Sequence, residues 1–85
     1  MSSWFVYILR CRNGSLYTGI TTDLKARVSV HNSGKGAKYT RAFRPVQLVY
    51  SQRMKTSTRA RQREAEIKSW TKNAKEKLVK TKGLQ

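Results

Sequence analysis

The chain has 85 residues, enough for one domain spanning 1–85, and carries 19 Lys and Arg against 4 Asp and Glu, a formal net charge of +15. A single cysteine, Cys11, excludes an internal disulfide and a cysteine-based zinc cage. A single histidine, His31, excludes a multi-histidine zinc site, and no apolar run is long enough to cross a bilayer.

Self-repulsion at this charge opposes folding, so a polyanionic partner is the physical reason for it. Nucleic acid comes ahead of an anionic membrane surface, because no basic helix with a broad apolar face is evident. The N-terminus lacks the basic-then-apolar plan of a secretion signal. The expected location is therefore intracellular: cytoplasmic and, in a bacterium, nucleoid-associated.

In chain order, Met1–Ser3 is a short lead-in. Trp4–Arg10 reads as a strand apolar on both faces, hence central and covered on both sides. Asn13-Gly14 supplies turn chemistry, and Ser15–Ile20 is the hairpin partner, which sets Tyr7 and Tyr17 on neighbouring strands. Gly19 marks a close backbone approach or a sharp exit. Cys11 is expected to pack as a small hydrophobe.

Thr21-Thr22-Asp23 caps a helix over Leu24–Asn32, with Leu24, Val28 and His31 on one stripe, Arg27 beside it and Gly34 as a left-handed terminus. Lys35–Arg41 reads as a basic loop with one aromatic. Pro45 precedes a third strand, Val46–Tyr50. Thr56-Ser57-Thr58 caps a helix running to about Trp70, whose inward stripe is Ala60, Glu64, Ile67 and Thr71, with Glu66 facing water. A last helix covers Asn73–Lys80 with Leu78 and Val79 folding back, and 81–85 frays. The expectation is an α+β fold: a three-stranded, mostly antiparallel sheet flanked by helices in the order β-β-α-β-α-α.

Four groups carry chemical potential. Glu64 is a carboxylate at an inward helical position, which demands either an ion-pair partner or a metal. Arg27 and His31 are helix neighbours: a permanently charged fork suited to phosphoryl oxygens, and a group able to move a proton or orient a water. Tyr7 and Tyr17 are poor bases as free phenols. Nearby cations (Arg10, Arg12, Lys25 and Arg27 are at hand) would lower their pKa. The basic stretches supply Lys25, Lys35, Lys38, Arg41 and the Arg59, Arg61, Arg63 cluster for phosphate contacts without sequence reading. Tyr39 either stacks on an unpaired base or covers the core edge.

Phe5-Val6-Tyr7 and Tyr17-Thr18-Gly19 resemble the paired triplets of the GIY-YIG nuclease family, whose element order matches nearly the whole chain. The resemblance implies a metal-dependent endonuclease hydrolysing DNA phosphodiester bonds, structure-directed rather than sequence-specific; branched or damaged DNA is a plausible substrate, with flaps, nicks and plain duplex also open. It implies catalytic roles for Tyr7, Tyr17, Arg27, His31 and Glu64, with Mg²⁺ (Mn²⁺ as substitute) on Glu64, Arg27 on the developing charge, and one of the two tyrosines activating the water with the other in support; Tyr17 is preferred for the first role. The family's late asparagine has only Asn73 as a counterpart. The alternatives are a non-catalytic basic nucleic-acid-binding module, or a nuclease subunit that depends on a protein partner for substrate grip.

Overall fold

A computed structural model describes residues 3–83. Its elements are β1 (Trp4–Arg10), β2 (Leu16–Thr21), α1 (Leu24–Asn32), α2 (Lys38–Ala42), β3 (Gln47–Met54), α3 (Ser57–Lys68) and α4 (Lys72–Lys82). The strands form one antiparallel sheet in the order β2-β1-β3, so the α+β class and the antiparallel pairing are as expected. The expected lead-in at Met1 and Ser2, and positions 84 and 85 of the expected frayed tail, lie outside the described residues. Thr81 and Lys82 lie within α4.

β1 lies in the middle, and Val6, Tyr7, Ile8 and Leu9 are all buried. Successive residues of a strand point to opposite faces, so a strand covered on both sides must be apolar throughout. Val6 and Ile8 join Tyr50, Ala60 and Ile67 under α3 and α4. Tyr7 and Leu9 join Cys11 and Val46, flanked by Leu24 and Val28 of α1 and by Phe43. The sheet is therefore sandwiched between two helical layers, α1 with α2 and α3 with α4.

Three details refine the sequence expectation. The expected hairpin forms around Asn13-Gly14. Gly14 N–H donates to the Cys11 carbonyl and Cys11 N–H to the Ser15 carbonyl, both at 2.8 Å. Only Gly14 has positive φ, at 87°. This is a three-residue loop, a turn followed by a left-handed glycine. Asn13 serves it through its side chain, accepting from the Ser15 N–H and hydroxyl at 3.2 and 2.6 Å.

β3 runs to Met54, past the expected Tyr50, and carries a bulge: Ile8 faces Tyr50 while Leu9 faces Leu48. The extra residue, Val49, lets Val49 and Tyr50 share the α3–α4 core while Leu48 serves the other. Finally, α3 stops at Lys68. Thr71 leaves the expected inward stripe to cap α4, accepting from Ala74 N–H at 3.2 Å.

The caps otherwise follow the sequence. Asp23 accepts from Ala26 N–H at 3.1 Å and Thr56 from Arg59 N–H at 3.1 Å, and Gly34 sits at φ 86° where α1 ends. Asn32 clamps the end of α1 to the start of β3, accepting from Val46 N–H at 2.7 Å and donating to its carbonyl at 3.1 Å. Arg10 forks onto Glu76 at 2.9 and 2.6 Å and also reaches the Gly14 carbonyl, tying α4 to the hairpin. That bond holds the Glu76 carboxyl below its ordinary range. Among the described residues, no helix is long and apolar enough to cross a membrane.

Among the described residues, one buried side-chain hydroxyl lacks a partner. Thr18 is 3% exposed and its Oγ1 makes no hydrogen bond. An unsatisfied buried hydroxyl is destabilising, and valine keeps its shape. Thr18→Val is therefore expected to stabilise the fold by about 1 kcal/mol. A thermal melt should show this as a rise of roughly 4–8 °C for a domain of this size.

Candidate active site

Tyr7 points from the central strand across its neighbour Gly19 on β2, the edge strand. A Cβ at Gly19 would lie 2.5 Å from the Tyr7 hydroxyl and 2.6 Å from Cζ, so only glycine leaves the ring its path. Close backbone approach, not a chain exit, is the reason for this glycine. Beyond Gly19 the Tyr7 hydroxyl meets His31 Nε2 at 3.0 Å. Tyr17 sets its ring edge-on to the same imidazole, with centroids 5.3 Å apart.

His31 is 2% exposed. Both ring nitrogens are occupied: Nε2 by Tyr7, and Nδ1 by Thr40 Oγ1 at 2.7 Å. The expected stripe of Leu24, Val28 and His31 does face the sheet, and His31 is its buried end. Burial disfavours the charged imidazolium, and the Arg27 guanidinium adds to this, so the His31 pKa falls below its usual 6.5.

The Tyr7 phenol moves opposite to the sequence expectation. Its pKa rises, chiefly because burial penalises the phenolate. The charges of Tyr17 and Glu64 add to the rise, and that of Arg27 opposes it. The expected help from Arg10 is absent because that side chain is committed to Glu76. Tyr7 is therefore a neutral phenol, and any acid–base chemistry it performs has to run through its hydrogen bond to His31.

Arg27, exposed on α1, acts on both Tyr7 and His31, and Glu64 on α3 acts on Tyr7 from the other layer. Glu64 is half-buried, 23% exposed, and stands 3.2 Å from Lys68 Nζ, which is itself 52% exposed. The ion-pair alternative for Glu64 is thus realised, with a partner largely in solvent. Glu66 faces water and pairs with Arg63. Tyr7, Tyr17 and His31 are in contact, the charges of Arg27 and Glu64 act on Tyr7, and Asn73 stands exposed in the first turn of α4.

Lys25, Lys35, Lys38, Arg41 and Arg61 are all exposed. The first four lie along α1, α2 and the segment between them, and Arg61 lies on α3. Arg63 leaves the expected phosphate-binding cluster: it donates to Gln52 at 3.1 Å, pairs with Glu66 and covers the Trp70 ring at 5.2 Å. Tyr39 covers the core edge through Phe43, ring centroids 5.0 Å apart. Its hydroxyl donates to Ser15 at 2.5 Å, and its exposure of 42% leaves part of the ring open.

Two contributors escaped sequence reasoning. Thr40, fully buried, sits on α2, where a loop was expected. Gly36 packs against the histidine: a Cβ there would fall 2.9 Å from His31 Cα. One signal for α2 was present, since Tyr39 and Phe43 are four apart and meet only on a helical turn.

Because folding lowers the His31 pKa, the unfolded chain binds its proton first as pH falls. Stability contributed by neutral His31 is complete above about 6.5 and is lost as pH drops from there toward the folded value. Urea unfolding between about pH 8 and 5 should show this slope in wild type and lose it in His31→Gln. Parallel pH profiles would contradict the assignment.

Residues 3–78 match the GIY-YIG catalytic domain family model. A UPF0213 protein of Staphylococcus aureus is 52% identical over 80 residues, covering 94% of this chain and 98% of its own. The solution structure of a UPF0213 protein from Bacillus halodurans superposes with a TM-score of 0.63 at 46% identity, over 95% of this chain and 86% of that one. A solution structure from E. faecalis gives 0.64 at 40% identity, with the same coverage. The chain belongs to the GIY-YIG catalytic domain family, a family of nucleases.

Proposed function

We propose that this protein is a metal-dependent endonuclease that hydrolyses DNA phosphodiester bonds, directed by backbone structure rather than base sequence. The observation that carries the reading is the hydrogen bond from Tyr7 to the buried, neutral His31 beside Arg27, with one carboxylate, Glu64, acting on the same phenol.

In the proposed reaction a water donates its proton to Tyr7 Oη as Tyr7 passes its own to His31 Nε2. The oxygen so activated attacks phosphorus, and the bond to the leaving oxygen breaks. That oxygen takes a proton from solvent, and His31 later returns its proton. Tyr7 is the better acceptor of the two tyrosines because its single proton is already directed at His31, leaving lone pairs for the water. Tyr17, the residue sequence reasoning preferred for this step, flanks the imidazole and supports it. Arg27, exposed and permanently charged, is placed to fork onto the phosphate oxygens as charge builds.

The donor set suits a hard cation. Among the described residues no group of three or more His, Cys, Asp or Glu is gathered, and both His31 nitrogens are in use. Glu64 would hold Mg²⁺ or Mn²⁺ by a single carboxylate, the remaining ligands being water and phosphate oxygens. When bound, the ion supplies positive charge for the phosphate oxygens. Exposed Lys68 can yield the carboxylate at little cost, since surface ion pairs are weak.

Grip on the substrate is assigned to Lys25, Lys35, Lys38, Arg41 and Arg61. Among the described residues three ion pairs engage Arg10, Arg63 and Lys68, so most of the 19 cations remain for phosphates. An intracellular location and a protein partner that adds grip are compatible with this reading.

The test is cleavage of branched and linear DNA with Mg²⁺. Glu64→Gln and Tyr7→Phe should each lower the rate by about 10²-fold or more. Binding should stay, and should weaken about 10³-fold between about 50 and 200 mM salt if some six phosphates are contacted. If wild type cuts nothing, or the variants cut as well as wild type, the non-catalytic binding module is the correct description.

A further inference from the structure

We infer that Thr40 is a positioning residue: by accepting a hydrogen bond from Nδ1 it makes neutral His31 present Nε2 as a bare acceptor to Tyr7. Its meaning for catalysis rests on the hydrolytic reading above; its effect on the imidazole does not.

The inference follows from counting protons along the chain of contacts. The Ala37 carbonyl can only accept, and Thr40 Oγ1 lies 2.9 Å from it, so the threonine's one proton goes there. His31 Nδ1, at 2.7 Å from the same oxygen, must then be the donor. In a neutral imidazole the other nitrogen carries no proton, so Nε2 accepts and the Tyr7 hydroxyl donates. The run Tyr7, His31, Thr40, Ala37 has one direction only.

Among the described residues, Thr40 Oγ1 is the hydrogen-bond partner that His31 Nδ1 has. Thr40 is fully buried, and it is the one buried residue of α2. Gly36 presses its backbone against His31, restricting the ring from the other side. Without the threonine hydroxyl, Nδ1 loses its acceptor and the proton is free to move to Nε2. Tyr7 would then accept from His31 instead of donating to it, and its own proton would face the incoming water. A tyrosine so oriented cannot take the water's proton and pass its own onward.

His31 is the only histidine in the chain, which makes the test direct. In the full chain labelled with ¹⁵N-histidine, at a pH where the ring is neutral, wild type should show Nδ1 protonated and Nε2 bare. Thr40→Val, which keeps the shape, should move at least half the population to the Nε2-protonated form, and Thr40→Ser should resemble wild type. In the DNA cleavage assay Thr40→Val should lower kcat by about 10–100-fold with KM and salt dependence unchanged, and Thr40→Ser should restore the rate.

Nε2 protonated in wild type would overturn the inference, as would a Thr40→Val protein with the wild-type tautomer. A rate loss without a tautomer change would also overturn it. If Thr40→Val fails to fold, Thr40→Ser with Nε2 protonated is the contradicting result. If wild type cuts no DNA, the hydrolytic reading fails, and the spectra still decide what Thr40 does to His31.

Discussion

The hydrogen bond from Tyr7 to His31 is the constraint around which the rest is arranged. It joins the central strand to α1 across the edge strand, and it exists only because Gly19 has no side chain in the way. A phenol and an imidazole that are both almost fully buried must satisfy each other. Burial then sets their protonation: the histidine is kept neutral and the phenol is kept protonated. A site built this way cannot rely on a preformed phenolate. In the proposed reaction it would move protons through contacts already in place, which is where positioned groups gain most over groups free in water.

Charge is organised by the same architecture. Three of the four acids form ion pairs and the fourth, Asp23, caps α1. Glu64 differs from the others in pairing with a solvent-exposed lysine while its field reaches a buried phenol. The α1–α2 segment has two faces with different tasks. Thr40 points inward to His31, while Lys38 and Arg41 on the same short helix stay exposed. The element that would grip a phosphate backbone is thus the element that seats the imidazole.

Much of this was legible in the sequence, for identifiable reasons. The apolar run Phe5–Leu9 could only be a central strand, and capping residues announced α1, α3 and α4. Tyr7, Tyr17, Arg27, His31 and Glu64 stood out through the resemblance to the GIY-YIG triplets and element order, helped by there being one histidine and four acids in the chain. What escaped depends on tertiary contact. Thr40 sits in a polar stretch with no periodicity, and nothing local shows that its hydroxyl meets a ring nine residues away. The Arg10–Glu76 bond joins positions 66 apart, so no pattern could show that Arg10 was unavailable to the tyrosines. The bulge at Val49 likewise answers to the two cores it must fill, not to its own neighbours in the chain.

In the proposed reaction, two helical layers on opposite faces of the sheet serve one site: Glu64 from α3, and the Tyr7–His31 pair between β1 and α1. The most direct test is titration of paramagnetic Mn²⁺ into the labelled protein with a DNA duplex bound. The His31 imidazole and Tyr7 ring signals should broaden in wild type and recover in Glu64→Gln. Broadening that spares both rings, or that persists unchanged in the variant, would contradict this arrangement.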